Sequence, residues 1–255
     1  MNLRSASTSA LLCLSLSALA CASAKPVAPE VTQAAWTRAR SDLAALRQNV
    51  VDKPYVEVIR VAVREPRSGR VLEGRGAVAV DPHRAMRMIL LGPGGKTALD
   101  VWVTRERWRF SIPALDTTRR GSMKTKVDDL PIGFFHWWFL EPLEGRLLTI
   151  DDSAGGRTYV LREDDATVFL RQVATRPDAR NHFVATRRSR QPDREGTEVD
   201  RLEWVARGLR PGPGDRARYK QQVTGLEVDV LVESVSPDPP DAAAFLDPDE
   251  PGVAL

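Results

Sequence analysis

The sequence predicts a mainly β (α+β) protein: a single large curved antiparallel sheet forming an unclosed barrel, with an N-terminal helix and a helical lid around an apolar cavity. Three observations carry this prediction. From Tyr55 onward, apolar and polar residues alternate over short runs that end in Gly, Pro or Asp turns, the period of half-buried strands. No internal repeat and no long linker divides these runs, so they belong to one domain. A single stretch, 130–140, breaks the alternation: it is apolar on every side and holds five of the chain's sixteen aromatic residues. A helix of that kind must be buried or must face an apolar ligand.

Residues 1–24 read as an export signal, with Arg4 as the positive start, an Ala/Leu/Ser run over 10–20, and small residues after it. The apolar run is far short of the ~20 residues a membrane-spanning helix needs. Two processing routes are open. Cys21 directly follows Ala20, as in a lipoprotein signal ending at residue 20, with Cys21 acylated; cleavage after Ala24 would instead use Ala22 and Ala24 and remove Cys21. Cys13 is discarded by either route, so disulfides hold nothing in the folded domain. Residues 25–30, with Pro26 and Pro29, form a tether to the domain at 31–255.

Within 31–50, Ala35, Trp36, Leu43 and Leu46 recur at helical spacing. Strands are expected from Tyr55, with a change of phase at Ile59, and then at 72–80, 84–91, 98–104 and 107–112. Gly74 and Gly76 mark a strand that is sharply bent or closely approached. After the aromatic segment, strands resume at 146–150, 158–162, 167–173, 183–188, 199–205, 217–223 and 226–235. Short turns separate them, and a Pro/Asp-rich tail, 236–255, wraps the surface.

Composition narrows the function. With 255 residues, 42% hydrophobic and 28% charged, the chain can bury a core, which excludes disorder. Lys and Arg number 37 against 34 Asp and Glu, a balance that gives no reason to expect nucleic acid. Two cysteines and three histidines are too few for a zinc ribbon or a disulfide scaffold, and His136 has no companion at ligand spacing. No metal or cofactor is expected. Asp151-Asp152 and Asp164-Asp165 fit turn chemistry better than a catalytic pair, and no nucleophile and base arrangement emerges, so the chain reads as a non-enzyme. The cluster Arg187, Arg188, Arg190 and Arg194 reads as a solvated hairpin face.

The order of features resembles the LolA/LolB lipoprotein-sorting family, most closely its outer-membrane receptor branch. The resemblance runs through the cysteine, tether and helix, then Gly74-Arg75-Gly76, and the strand, Pro93-Gly94-Gly95 loop and strand over 84–100. It continues in Pro131-Ile132 and an aromatic helix ending Trp138-Phe139-Leu140-Glu141-Pro142. It covers 31–148 well and the later strands loosely. It implies an unclosed barrel whose apolar cavity takes lipoprotein acyl chains, in a protein of the outer membrane anchored through Cys21 and facing the periplasm, or periplasmic if not acylated. The partners it implies are acyl chains or lipid and a periplasmic lipoprotein carrier. The physical need is plain: each CH₂ of an acyl chain is worth ~0.8 kcal/mol in an apolar site, so such a chain cannot cross water bare. In the receptor branch the loop matching Pro93-Gly94-Gly95 presents an exposed apolar residue to the membrane. Here Gly94 stands there, so the protein either binds lipid without handing it on or uses another exposed apolar side chain.

The cavity and lid residues expected on these grounds are Trp102, Trp108, Phe110, Ile132, Phe134, Phe135, Trp137, Trp138 and Phe139. Trp102 stands apart, because its alternating partners are Asp100 and Thr104. The alternative is a structural or interaction lipoprotein with the same fold and a filled cavity.

Overall fold

The computed structural model describes residues 31–48, 53–64, 66, 68–125, 130–140, 143, 145–153, 156–173, 180–206, 208–210, 212–236 and 238–250. The expected export segment, the tether and Cys21 lie outside the described residues. Helix α1 (Gln33–Gln48) opens the domain. The Thr32 hydroxyl accepts from the Ala35 amide at 3.2 Å, a side-chain cap for one of the helix's orphan donors. Ala35, Ala39, Leu43 and Leu46 form its inward stripe.

Everything else of size belongs to one antiparallel sheet of thirteen strands, which is not closed. A first meander runs through β1 (Tyr55–Arg64), β2 (Val71–Asp81), β3 (Ala85–Leu91), β4 (Thr97–Thr104), β5 (Arg107–Ile112) and β6 (Thr117–Ser122). A second runs through β7 (Arg146–Ser153), β8 (Gly156–Arg162), β9 (Ala166–Val173), β10 (Asn181–Ser189), β11 (Glu198–Ala206), β12 (Arg216–Gln221) and β13 (Glu227–Ser236). The sheet order is β6-β5-β4-β3-β2-β1-β13-β12-β11-β10-β9-β8-β7, so the first and last strands pair in the middle and β6 and β7 are the edges. In that central pair Val56 lies opposite Ser236. A register shift between Val58 and Ile59 is the structural origin of the change of phase in the sequence.

One strand, β6, has no counterpart in the sequence reading. Its run Thr117-Thr118-Arg119-Arg120-Gly121-Ser122 carries no apolar alternation, because it is an edge strand with Thr117 to Arg120 all exposed. Two glycines permit close approaches. A Cβ on Gly76 would lie 1.9 Å from the Ile89 carbonyl oxygen of β3, and one on Gly121 would lie 2.7 Å from the Trp108 ring of β5.

The inner face of the sheet is a continuous apolar core that includes Val61, Val78, Met88, Leu170, Phe183 and Val228. The outer face of β3 to β5 carries an ion-pair network. Arg87 and Arg109 both bond Asp100 at 3.1 Å, and Arg109 reaches Asp249 at 2.8 Å. The tail lies across this outer face. A short 3₁₀ turn (Ala242–Phe245) starts at Asp241, whose side chain accepts from the Ala243 amide at 2.9 Å, and Phe245 is buried.

Candidate functional site

Between the two sheet edges the chain enters the inner face as helix α2 (Ile132–Phe135), which runs directly into a π-helical turn (His136–Leu140). Ile132, Phe134, Phe135, Trp137, Trp138, Phe139 and Leu140 are each no more than 5% exposed. Phe134 lies at the centre, its ring 4.6 Å from Tyr219 of β12, 4.9 Å from Trp138 and 5.4 Å from Phe135. Phe139 stacks on Trp138 at 5.4 Å. Each such ring taken out of water contributes about 1.5–3 kcal/mol, which fastens a short helix that has little intrinsic stability.

Eight of the nine expected residues meet in this one core: Trp108, Phe110, Ile132, Phe134, Phe135, Trp137, Trp138 and Phe139. Trp102 is elsewhere. Its neighbours Val101 and Val103 face inward, so strand alternation turns Trp102 to the outer face, where its indole N–H donates to the Phe245 carbonyl at 2.8 Å.

Where α2 begins, a cavity of about 370 Å³ remains. Trp108, Ile132, His136, Trp137 and Tyr219 form its apolar side. Its other side is charged. Arg187 of β10 bonds Glu163 at 3.0 Å, Asp165 at 3.0 Å and Asp200 at 3.1 Å. Trp137 donates to Glu163 at 3.2 Å, and the Tyr219 hydroxyl donates to Asp200 at 2.6 Å. The Arg187 guanidinium also lies 5.4 Å from the Trp137 ring centre, within cation–π range. Burial raises the Glu163 carboxyl above its ordinary range despite Arg187. Burial alone would lower Arg187, but Glu163, Asp200 and Asp165 together outweigh it and hold the guanidinium firmly charged.

Arg187 therefore corrects the reading of its cluster as a solvated face. It follows Phe183 and Ala185 at two-residue spacing and so shares their inward direction, and that spacing was the available signal. Asp200 stands opposite it in the β10–β11 register. Asp151 and Asp152 also sit in strand β7 rather than in a turn, and Asp152 bonds Arg157 at 2.7 Å.

A second polar group lies at the far end of the π-helical turn. Arg210 donates to the Phe139 carbonyl at 3.1 Å, and its guanidinium lies 4.5 Å from the Tyr55 ring centre. The His83 amide donates to the Leu140 carbonyl at 3.3 Å. Glu57 of β1 is buried beside this group, and desolvation pushes its pKa up to about 7 against the opposing pull of Arg210. The Tyr55 hydroxyl is buried with no hydrogen-bond partner among the described residues. No group of three His, Cys, Asp or Glu side chains poised for a metal occurs among the described residues.

No family model matches the sequence, and no curated protein matches it as a relative. A solved structure does share the fold. A LolA superfamily protein from Nitrosomonas europaea superposes with a TM-score of 0.55 at 13% identity, covering 82% of this chain and 97% of that one. A DUF1329 family protein from Desulfovibrio piger gives 0.44 at 12% identity, covering 82% and 96%. At 13% identity the likeness to the LolA superfamily protein is one of fold. No described helix is long and apolar enough to cross a membrane.

Proposed function

We propose that this is an envelope protein of the lipoprotein-sorting kind, which takes acyl chains of lipoproteins or lipids into the interior of its open barrel and serves in lipoprotein receipt or localisation at the outer membrane. One observation carries the reading. The space inside the sheet is occupied by a nine-residue helical segment, Ile132 to Leu140, made almost wholly of large apolar side chains and entered beside an open cavity of about 370 Å³. That cavity is at the small end of ligand sites. A single acyl chain would enter along Trp108, Ile132 and Trp137, and a larger anchor requires Phe134, Trp138 and Phe139 to move aside. The side chains displaced and the chain that replaces them are equally apolar, so the exchange costs little hydrophobic energy. The fold shared with the LolA superfamily protein supports this reading. The export signal ends at residue 20 and an acylated Cys21 anchors the domain, through the tether at 25–30, facing the periplasm; a periplasmic carrier supplies the cargo.

The close packing of the inner segment favours a second reading, a structural or interaction lipoprotein with a filled interior. Native mass spectrometry of protein purified from envelopes separates the two. Bound lipid or lipoprotein that is lost on Trp138→Asp is the expected result. Because that variant disturbs the core, hydrogen exchange of 132–140 is followed in the native protein with and without a fatty-acid probe. Exchange that does not change with probe, in a protein that carries no lipid, sinks the acyl-chain reading. Fatty-acid labelling with Cys21→Ala as control tests the anchor separately.

A further inference from the structure

A second groove, of about 820 Å³, lies between α1 and the edge strand β7 and takes no part in the interior just described. Trp36 and Leu43 line it from the helix, and Leu147 and Leu148 from the strand. Among the described residues its charged lining is arginine: Arg40, Arg47 and Arg146. Arg47 is committed to the Leu143 carbonyl and to the Gly145 carbonyl at 2.7 Å. The Arg40 guanidinium lies over the Trp36 ring, 4.8 Å from its centre. Neither Arg40 nor Arg146 forms an ion pair among the described residues, and both are exposed. Some exposed arginines elsewhere are matched to carboxylates: Arg60 and Arg75 share Glu233, and Arg218 holds Asp229. The cavity inside the barrel has the opposite character, with Glu163, Asp164, Asp165 and Asp200 in its wall.

We propose that this groove is the face with which the protein meets an anionic phospholipid bilayer: Arg40 and Arg146 contact lipid phosphates, while Trp36 and Leu148 lie at the level of the glycerol esters. Charge complementarity selects the occupant, since two exposed guanidinium groups beside an open apolar floor match an anionic headgroup joined to an acyl chain. An indole that is part exposed and part packed suits that interface. Leu148 is 41% exposed, an apolar side chain already presented outward. Chain length agrees with this placement. The stretch from Cys21 to Thr32 holds twelve residues, which reach at most ~40 Å when extended, so an anchor at Cys21 would keep α1 next to the bilayer. Only that last step rests on the acylation proposed above.

The test uses the full chain carrying Cys21→Ala, so that no acyl anchor contributes. It should co-sediment with vesicles containing about one-third phosphatidylglycerol and not with pure phosphatidylcholine vesicles, and Arg40→Gln and Arg146→Gln should each weaken binding about fivefold. Quenching by phosphatidylglycerol brominated in its acyl chains should fall in Trp36→Phe by the part that Trp36 contributes, while acyl chains inside the barrel reach only the other five tryptophans, each no more than 5% exposed. Retained binding in the double arginine variant overturns the proposal, as does an equal loss with the distant control Arg70→Gln. Quenching that Trp36→Phe leaves undiminished overturns it, because the lipid is then reached only by the interior tryptophans. Release by millimolar inorganic phosphate at constant ionic strength overturns it in favour of a soluble phosphate ligand. Interior loading of a fatty-acid probe should be unchanged by the two arginine substitutions, so the groove and the interior fail separately.

Discussion

Glu57 makes the protein's stability depend on pH in a definite direction. Its carboxyl titrates near 7 in the folded state against an ordinary value of 4.5, because burial penalises the charged form. A raised folded pKa favours folding at low pH, so this contribution is fully present below about 4.5. It drains away as pH rises and is gone above about 7. The shift corresponds to roughly 3 kcal/mol. Glu57→Gln should therefore be more stable than the native protein at pH 8 and about equal at pH 4.5, measured by denaturant unfolding at both values; parallel profiles would show that Glu57 is not buried as described. Arg187 gives the complementary case. Arg187→Met leaves Glu163, Asp165 and Asp200 facing one another without a cation and should cost about 3–5 kcal/mol at pH 7. At this scale the sequence was readable where alternation was followed through: Trp102 was expected in the cavity but lies on the outer face, as its alternation with Asp100 and Thr104 indicates. Arg187 was misplaced because a run of arginines suggested solvent more strongly than the two-residue spacing from Phe183 and Ala185 suggested the interior. Glu57 follows the same alternation from Tyr55 to Ile59, but nothing in the sequence marks the Arg210 loop that faces it.

Among the elements, the inner helical segment is fastened by packing along its length and by few polar bonds at its end. Arg210→Met removes the donor to the Phe139 carbonyl and should raise hydrogen-exchange rates across 132–140 while β9 to β12 stay protected. Uniform loss of protection would show instead that the segment and the sheet open as one unit. The edge strand β6 offers a second test. Gly121→Val would place a side chain against the Trp108 ring, and the overpacking should cost about 1–3 kcal/mol and perturb tryptophan fluorescence. The aromatic segment was legible because its pattern is apolar on every side. Its π-helical half was not, since nothing in the pattern of His136 to Leu140 distinguishes a π turn from an α turn. β6 escaped notice because an exposed edge strand of Thr and Arg has no buried side to impose a period.

At the scale of the whole molecule, the curved, unclosed sheet was foreseeable from the succession of short alternating strands, whereas the pairing of β1 with β13 was not. Each strand looks alike in one dimension, and only the geometry of closure chooses its neighbour. That seam joins the two meanders: β13 covers the edge of β1 through residues from Val56 to Arg64. A chain ending at residue 226 lacks β13, exposes two unpaired edges in the middle of the sheet, and should aggregate rather than yield a cooperative unfolding transition. A soluble, cooperatively unfolding truncated chain would mean that the two meanders fold independently. The seam has one more consequence, for the timing of maturation. Val56 waits for Ser236, 180 positions later, an interval of roughly 10 to 35 s of synthesis at ordinary elongation rates. Until the final strand emerges, the polypeptide has no complete sheet to lock into, so the nascent chain stays open and threadable for the very period in which a secretion channel would have to receive it.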